Sequence, residues 1–138
     1  MSLGEQFYEQ SLQIIRRFIP DNADENILTE AGKTMFKDRY RGTFAVNEIA
    51  SMLNGGLKHG EMIIVNLDKR SSVGSHWIAL VNHEKDIILY DSFGRQIPEV
   101  QNTEDDPEQS ILEEDCGARC LSFLWVYERL GFIEALKI

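Results

Sequence analysis

Three short runs in the middle of the chain, residues 62–67, 77–81 and 87–90, are apolar at almost every position. A strand with one wet face alternates polar and apolar residues, so runs this continuous belong to strands covered on both faces. Their β-branched content (Ile63-Ile64-Val65, Ile78, Val81, Ile87-Ile88) and polar borders set them apart from helix. Any fold for this chain must therefore supply two layers of cover to a small central sheet.

The covers are legible on either side. Upstream, Phe7, Tyr8, Leu12, Ile15, Phe18 and Ile19 recur at three- and four-residue steps until Pro20, which predicts a first helix. Asp21 to Asp24 offers caps for a second, expected through about Ala31 and stopped by Gly32. Residues 47–53 read as a third, closed by Asn54-Gly55-Gly56. Downstream, Cys120, Phe123, Leu124, Tyr127 and Leu130 form an apolar stripe on a helix running from about Cys116 to Gly131, and Leu121 and Trp125 widen it. The expected fold class is α+β: a small central sheet with antiparallel pairing, flanked by the N-terminal helices and by a buried helix that begins at Cys116.

A chain of 138 residues fits a single domain, with no repeats and no second domain expected. No apolar run approaches the ~18 residues of a membrane span, and the start lacks the basic-then-apolar layout of a signal peptide. The expectation is an intracellular protein, or one packaged into a particle, with no membrane partner. Fourteen basic residues against 23 acidic ones give a net charge of −9, which disfavours electrostatic binding to nucleic acid. Two cysteines make no disulfide framework, so they read as chemistry or burial. Residues 92–115 hold two prolines and eight acids, the pattern of a solvated loop.

The chemistry begins with a hairpin. Residues 77–81 and 87–90 are joined by a few polar residues, and a tight turn at His83-Glu84 pairs Leu80 with Ile87 and sets His76 opposite Asp91. Opposed side chains are close enough for a carboxylate to accept an imidazole N–H, and a slip in loop length leaves the pair diagonal but near. A histidine oriented by a carboxylate is the base half of a catalytic triad. Cys116 stands where the acidic loop meets the last helix, where the macrodipole favours thiolate. Gly117 keeps the backbone slim beside it, first-turn N–H groups are placed for an oxyanion, and the Gln109 amide offers a second donor.

Taken in order, Gly74-Ser75-His76-Trp77-Ile78-Ala79-Leu80, Tyr90-Asp91-Ser92-Phe93-Gly94, Gln109 and Asp115-Cys116-Gly117 resemble the adenovirus-type cysteine proteases, which share a clan with the SUMO-deconjugating proteases. Residues 36–44 resemble, more faintly, the segment before the histidine in the adenovirus enzyme. The resemblance implies His76, Asp91 and Cys116 as catalytic triad, and Gln109 with the Cys116 backbone N–H as oxyanion hole. It also places Trp77 and Gly117 beside a narrow substrate cleft that admits glycine-containing sequences. The activity implied is a cysteine endopeptidase of virus maturation, cutting capsid or virion precursors. The alternatives are a SUMO- or ubiquitin-like deconjugating protease and an inactive binding module on the same fold. The expected partner is a polypeptide substrate; no cofactor is expected, the DNA dependence of the adenovirus enzyme is not carried over, and the oligomeric state stays open. A zinc set of Cys116, Cys120, His76 and His83 is the weaker reading, because no second paired motif accompanies the two cysteines.

Overall fold

A computed structural model describes residues 1–67, 76–92, 101–102 and 115–138. Two helices lead, α1 (Leu3–Ile15) and α2 (Glu25–Phe36), followed by strands β1 (Tyr40–Ala45) and β2 (Met62–Asn66). The hairpin β3 (Trp77–His83) and β4 (Asp86–Tyr90) comes next, then a two-residue β5 (Gln101–Asn102), the long α3 (Cys116–Leu130) and a short α4 (Phe132–Ala135). The strands form one mixed sheet in chain order: β1 runs parallel to β2, β2 and β3 are antiparallel, β3 and β4 are antiparallel, and β4 runs parallel to β5. The α+β class is as expected. Among the described residues no helix is long and apolar enough to cross a membrane.

Both faces of the sheet are covered. Met62, Ile64, Trp77, Ala79, Val81, Ile88 and Tyr90 point to one side, into a core shared with Tyr8 and Leu12 of α1, Leu28 of α2 and Phe123, Leu124 and Val126 of α3. Ile63, Val65, Ile78, Leu80 and Leu89 point to the other, under Ile49 and Leu57. Each such side chain taken from water contributes roughly 1.5–3 kcal/mol, which is why no polar alternation is tolerated in the central strands.

Three helix expectations are corrected. The second helix does not stop at Gly32: it starts from the Asp24 cap, whose carboxylate accepts from the Ile27 N–H at 2.9 Å, and runs to Phe36. Gly32 serves packing instead, because a Cβ there would lie 2.6 Å from the buried Tyr40 ring. Residues 47–53 form no α-helix. They give a 3-10 turn at Val46–Glu48 and a π turn at Met52–Gly56 that covers the second sheet face. The first helix ends at Ile15, before Phe18 and Ile19, and a capping box of Ser2 and Glu5 starts it. Strand β1 is an addition, since Arg41 and Gly42 interrupt its apolar pattern.

The hairpin turn also differs from the expectation. It lies at Glu84-Lys85, one residue later, with His83 paired to Asp86 and Leu80 to Leu89. Both turn residues take left-handed backbone, φ 50° and 80°, as a two-residue hairpin of this twist requires. The Asn82 side chain supports them by accepting the Lys85 N–H at 2.9 Å. A non-glycine residue pays roughly 1–2 kcal/mol for that conformation. Lys85→Gly is therefore expected to stabilise the fold by about 1 kcal/mol, part of the relief being lost to glycine's greater unfolded freedom. Chemical denaturation would measure it, and an unchanged or lower midpoint would contradict the turn geometry.

Candidate active site

His76 immediately precedes β3 and Asp91 immediately follows β4, so one hairpin mouth delivers both. With Ala79 paired to Tyr90, Asp91 stands level with Ile78 and diagonal to His76 rather than directly opposite it. The diagonal is still within reach of an imidazole and a carboxylate. His76 Nε2 lies 2.5 Å from Asp91 Oδ1, and the two side chains are 7% and 2% exposed. A carboxylate oxygen accepts, so Nε2–H is the donor of this bond and Nδ1 is the ring nitrogen turned away from Asp91.

Cys116 opens α3 next to this pair. Its Sγ accepts the backbone N–H of Trp77, the residue bonded to His76, at 3.4 Å. The start of β3 thus carries the imidazole and also touches the sulfur. The thiol is buried, and burial pushes its pKa up, with the Asp115 charge adding to the rise. Backbone N–H groups of Trp77, Gly117 and Cys116 itself act the other way without reversing it. The helix-terminal donors that the sequence leads one to expect are in place, but desolvation outweighs them, so the net shift runs toward the thiol.

The Trp77 side chain is buried in the helix-facing core with its indole N–H donating to the Ala23 carbonyl at 3.1 Å. A Cβ on Gly117 would lie 2.9 Å from Leu28, so this glycine lets α2 approach the start of α3. Gln109 lies outside the described residues, as do Gly74, Ser75, Phe93 and Gly94. Cys120, one turn after Cys116, is fully buried, and burial holds its thiol well above the ordinary range. His83 stands at the far end of β3 from His76, with Nδ1 2.9 Å from the Tyr127 hydroxyl and its ring stacked on Phe132. The four residues of the zinc reading do not converge.

Sequence reasoning missed one cluster. Asp115 sits at the cap position of α3 but makes no cap bond. Its carboxylate instead accepts from Arg16 Nε at 2.8 Å, from Arg16 Nη2, and from Arg119 Nε at 3.0 Å. Arg119 also donates to the Tyr8 hydroxyl at 3.3 Å, and Tyr8 bonds the Tyr90 hydroxyl at 2.6 Å. The i, i+4 spacing of Asp115 and Arg119 signals half of this in the sequence; Arg16, just past the end of α1, carries no such signal.

Burial raises the Asp115 carboxyl, and the hydrogen bonds and charges of Arg16 and Arg119 more than reverse it, leaving it below the ordinary range. A folded value below the unfolded one means stabilisation fully present above about pH 4 and lost as pH falls through the folded value. Asp115→Asn is expected to cost on the order of 3 kcal/mol at pH 7, because Arg119 loses a buried partner. The gap to wild type should close towards pH 2. Urea denaturation across that range tests it, and a pH-independent gap would remove the ion pair as its cause. Comparison of the chain with protein-family models, with characterised proteins and with solved structures finds no match, so the geometry of the site carries the functional reading.

Proposed function

We propose that the chain is a cysteine endopeptidase in which Cys116 is the nucleophile, His76 the general base and acid, and Asp91 the group that orients the histidine. The observation that carries this reading is the buried His76–Asp91 hydrogen bond at the same hairpin mouth whose Trp77 N–H touches the Cys116 sulfur. In the proposed reaction, the sulfur attacks the scissile carbonyl carbon while its proton passes to His76 Nδ1. Asp91 stabilises the imidazolium that results. The negative charge on the carbonyl oxygen is met by N–H groups of the first turn of α3 and, as the resemblance to adenovirus-type proteases implies, by the Gln109 amide. Collapse of the tetrahedral intermediate breaks the C–N bond, and the departing amine takes its proton from His76. Water, deprotonated by the same imidazole, then hydrolyses the thioester and returns the thiol.

The resemblance extends the proposal to substrate: a polypeptide cut at glycine-containing sites, as in maturation of virion precursors. A second reading, a binding module without activity on the same fold, is favoured by one observation, the burial and upward shift of the Cys116 thiol. Cleavage of glycine-containing precursor peptides separates the two. Under the protease reading Cys116→Ala abolishes cleavage, and Asp91→Asn lowers kcat by roughly a hundredfold to ten-thousandfold through the wrong tautomer. Cleavage by neither wild type nor Cys116→Ala leaves the binding module, and equal turnover by both removes Cys116 as the nucleophile.

A further inference from the structure

The cluster around Asp115 has no part in the proposed proton transfers, yet it abuts the nucleophile. Asp115 is bonded through the chain to Cys116, is largely buried, and carries a negative charge where a thiolate and then an oxyanion must develop. An unscreened carboxylate at that position opposes both charges, and low local dielectric makes the opposition larger than in water. Two guanidinium groups meet it. Arg119 comes from one turn further along α3, and Arg16 comes from just beyond the end of α1, 99 residues away in sequence. Two cations against one anion leave the cluster with a net positive charge at the helix end that bears Cys116.

We propose that Arg16 is a positioning residue for the reaction: it clamps the Asp115 carboxylate, fixes the first turn of α3 to α1, and screens the Cys116 sulfur from the neighbouring negative charge. This rests on the reading of Cys116 as nucleophile. The clamp also reaches the other half of the site, because Arg119 continues through Tyr8 to Tyr90, the residue before Asp91. One buried polar chain therefore ties together the segments that present the sulfur and the carboxylate. Among the described residues, the ionisable groups tied to this junction are His76, bonded to Trp77, Asp91, which holds His76, and Cys120, which interacts with Cys116 from one turn further along α3; α2 contributes the apolar Leu28.

The sign of the effect separates screening from mere support. Alkylation of Cys116 is followed against pH by peptide mapping in wild type, Arg16→Gln, Arg16→Lys and Asp115→Asn. Losing Arg16 exposes the carboxylate, so Arg16→Gln is expected to raise the alkylation midpoint by on the order of one pH unit. Arg16→Lys keeps the charge and should restore most of the shift. Asp115→Asn removes the anion and leaves both cations, so its midpoint should fall. A simple loosening of the helix end moves Arg16→Gln and Asp115→Asn in the same direction, and that result, or no shift in either, would overturn the proposal. The Arg16 side chain is 43% exposed, and the Arg16→Gln and Arg16→Lys pair decides the matter alone should Asp115→Asn fail to fold. Peptide cleavage that survives Cys116→Ala would instead remove the nucleophile reading while leaving the alkylation shifts to stand.

Discussion

The first turn of α3 has to end against the first residue of β3, and most of the remaining architecture serves that junction. Trp77 shows how tightly the junction is specified. Its backbone N–H faces the Cys116 sulfur, its indole is locked to the Ala23 carbonyl, and its chain neighbour His76 is held by Asp91. A strand side chain can face only one side of the sheet, so placing Trp77 in the helical layer commits the neighbouring positions as well. Gly117 matters for the same reason: without a Cβ it lets Leu28 press against the helix start, and α2 becomes a wall behind the sulfur.

Charge is organised around this junction more economically than the acidic composition suggests. Among the described residues, the buried acids and bases are paired: His76 with Asp91, and Asp115 with Arg119 and with the half-exposed Arg16. Buried ion pairs are poor sources of net stability, since desolvation offsets much of their attraction. Their worth here lies in geometry. A carboxylate bonded to one guanidinium on α3 and to another at the end of α1 fixes the approach of α1 to α3, which apolar packing alone leaves free to slide. Tyr8 and Tyr90 extend that register to the end of β4.

How much of this could be read from the chain depends on the range of the interaction concerned. The apolar runs of β2, β3 and β4 and the stripe on α3 were legible because burial on both faces, or on one helical face, leaves a periodic trace. His76 and Asp91 were legible too, and survived a turn misplaced by one residue, because a diagonal across the hairpin is nearly as good as a direct pairing for two long polar side chains. The turn itself was not, since Glu84 and Lys85 adopt left-handed backbone without the glycine or asparagine that normally marks it. Gly32 misled in the opposite sense: a glycine that normally ends a helix is here an opening for the Tyr40 ring, and only the tertiary neighbour tells the two apart. Arg16 left no trace, because nothing local distinguishes an arginine at a helix end that faces water from one that crosses to a carboxylate 99 residues later.

The buried thiol bears on the proposed chemistry through the same desolvation that disfavours its ionisation. Excluding water raises the energy of an isolated thiolate, but it also strengthens each bond that the hairpin and the helix terminus can make to developing charge. The His76–Asp91 pair is already assembled, with Nε2 held against the carboxylate at 2.5 Å. In that setting a standing thiolate–imidazolium pair is not needed. The proton can leave sulfur as the S–C bond forms, so that charge appears on the carbonyl oxygen, where backbone donors meet it, and on an imidazole already facing a carboxylate. Burial then raises the energy of the charged sulfur in the absence of substrate, and the cluster of Arg16, Asp115 and Arg119 lies at the helix end that bears Cys116.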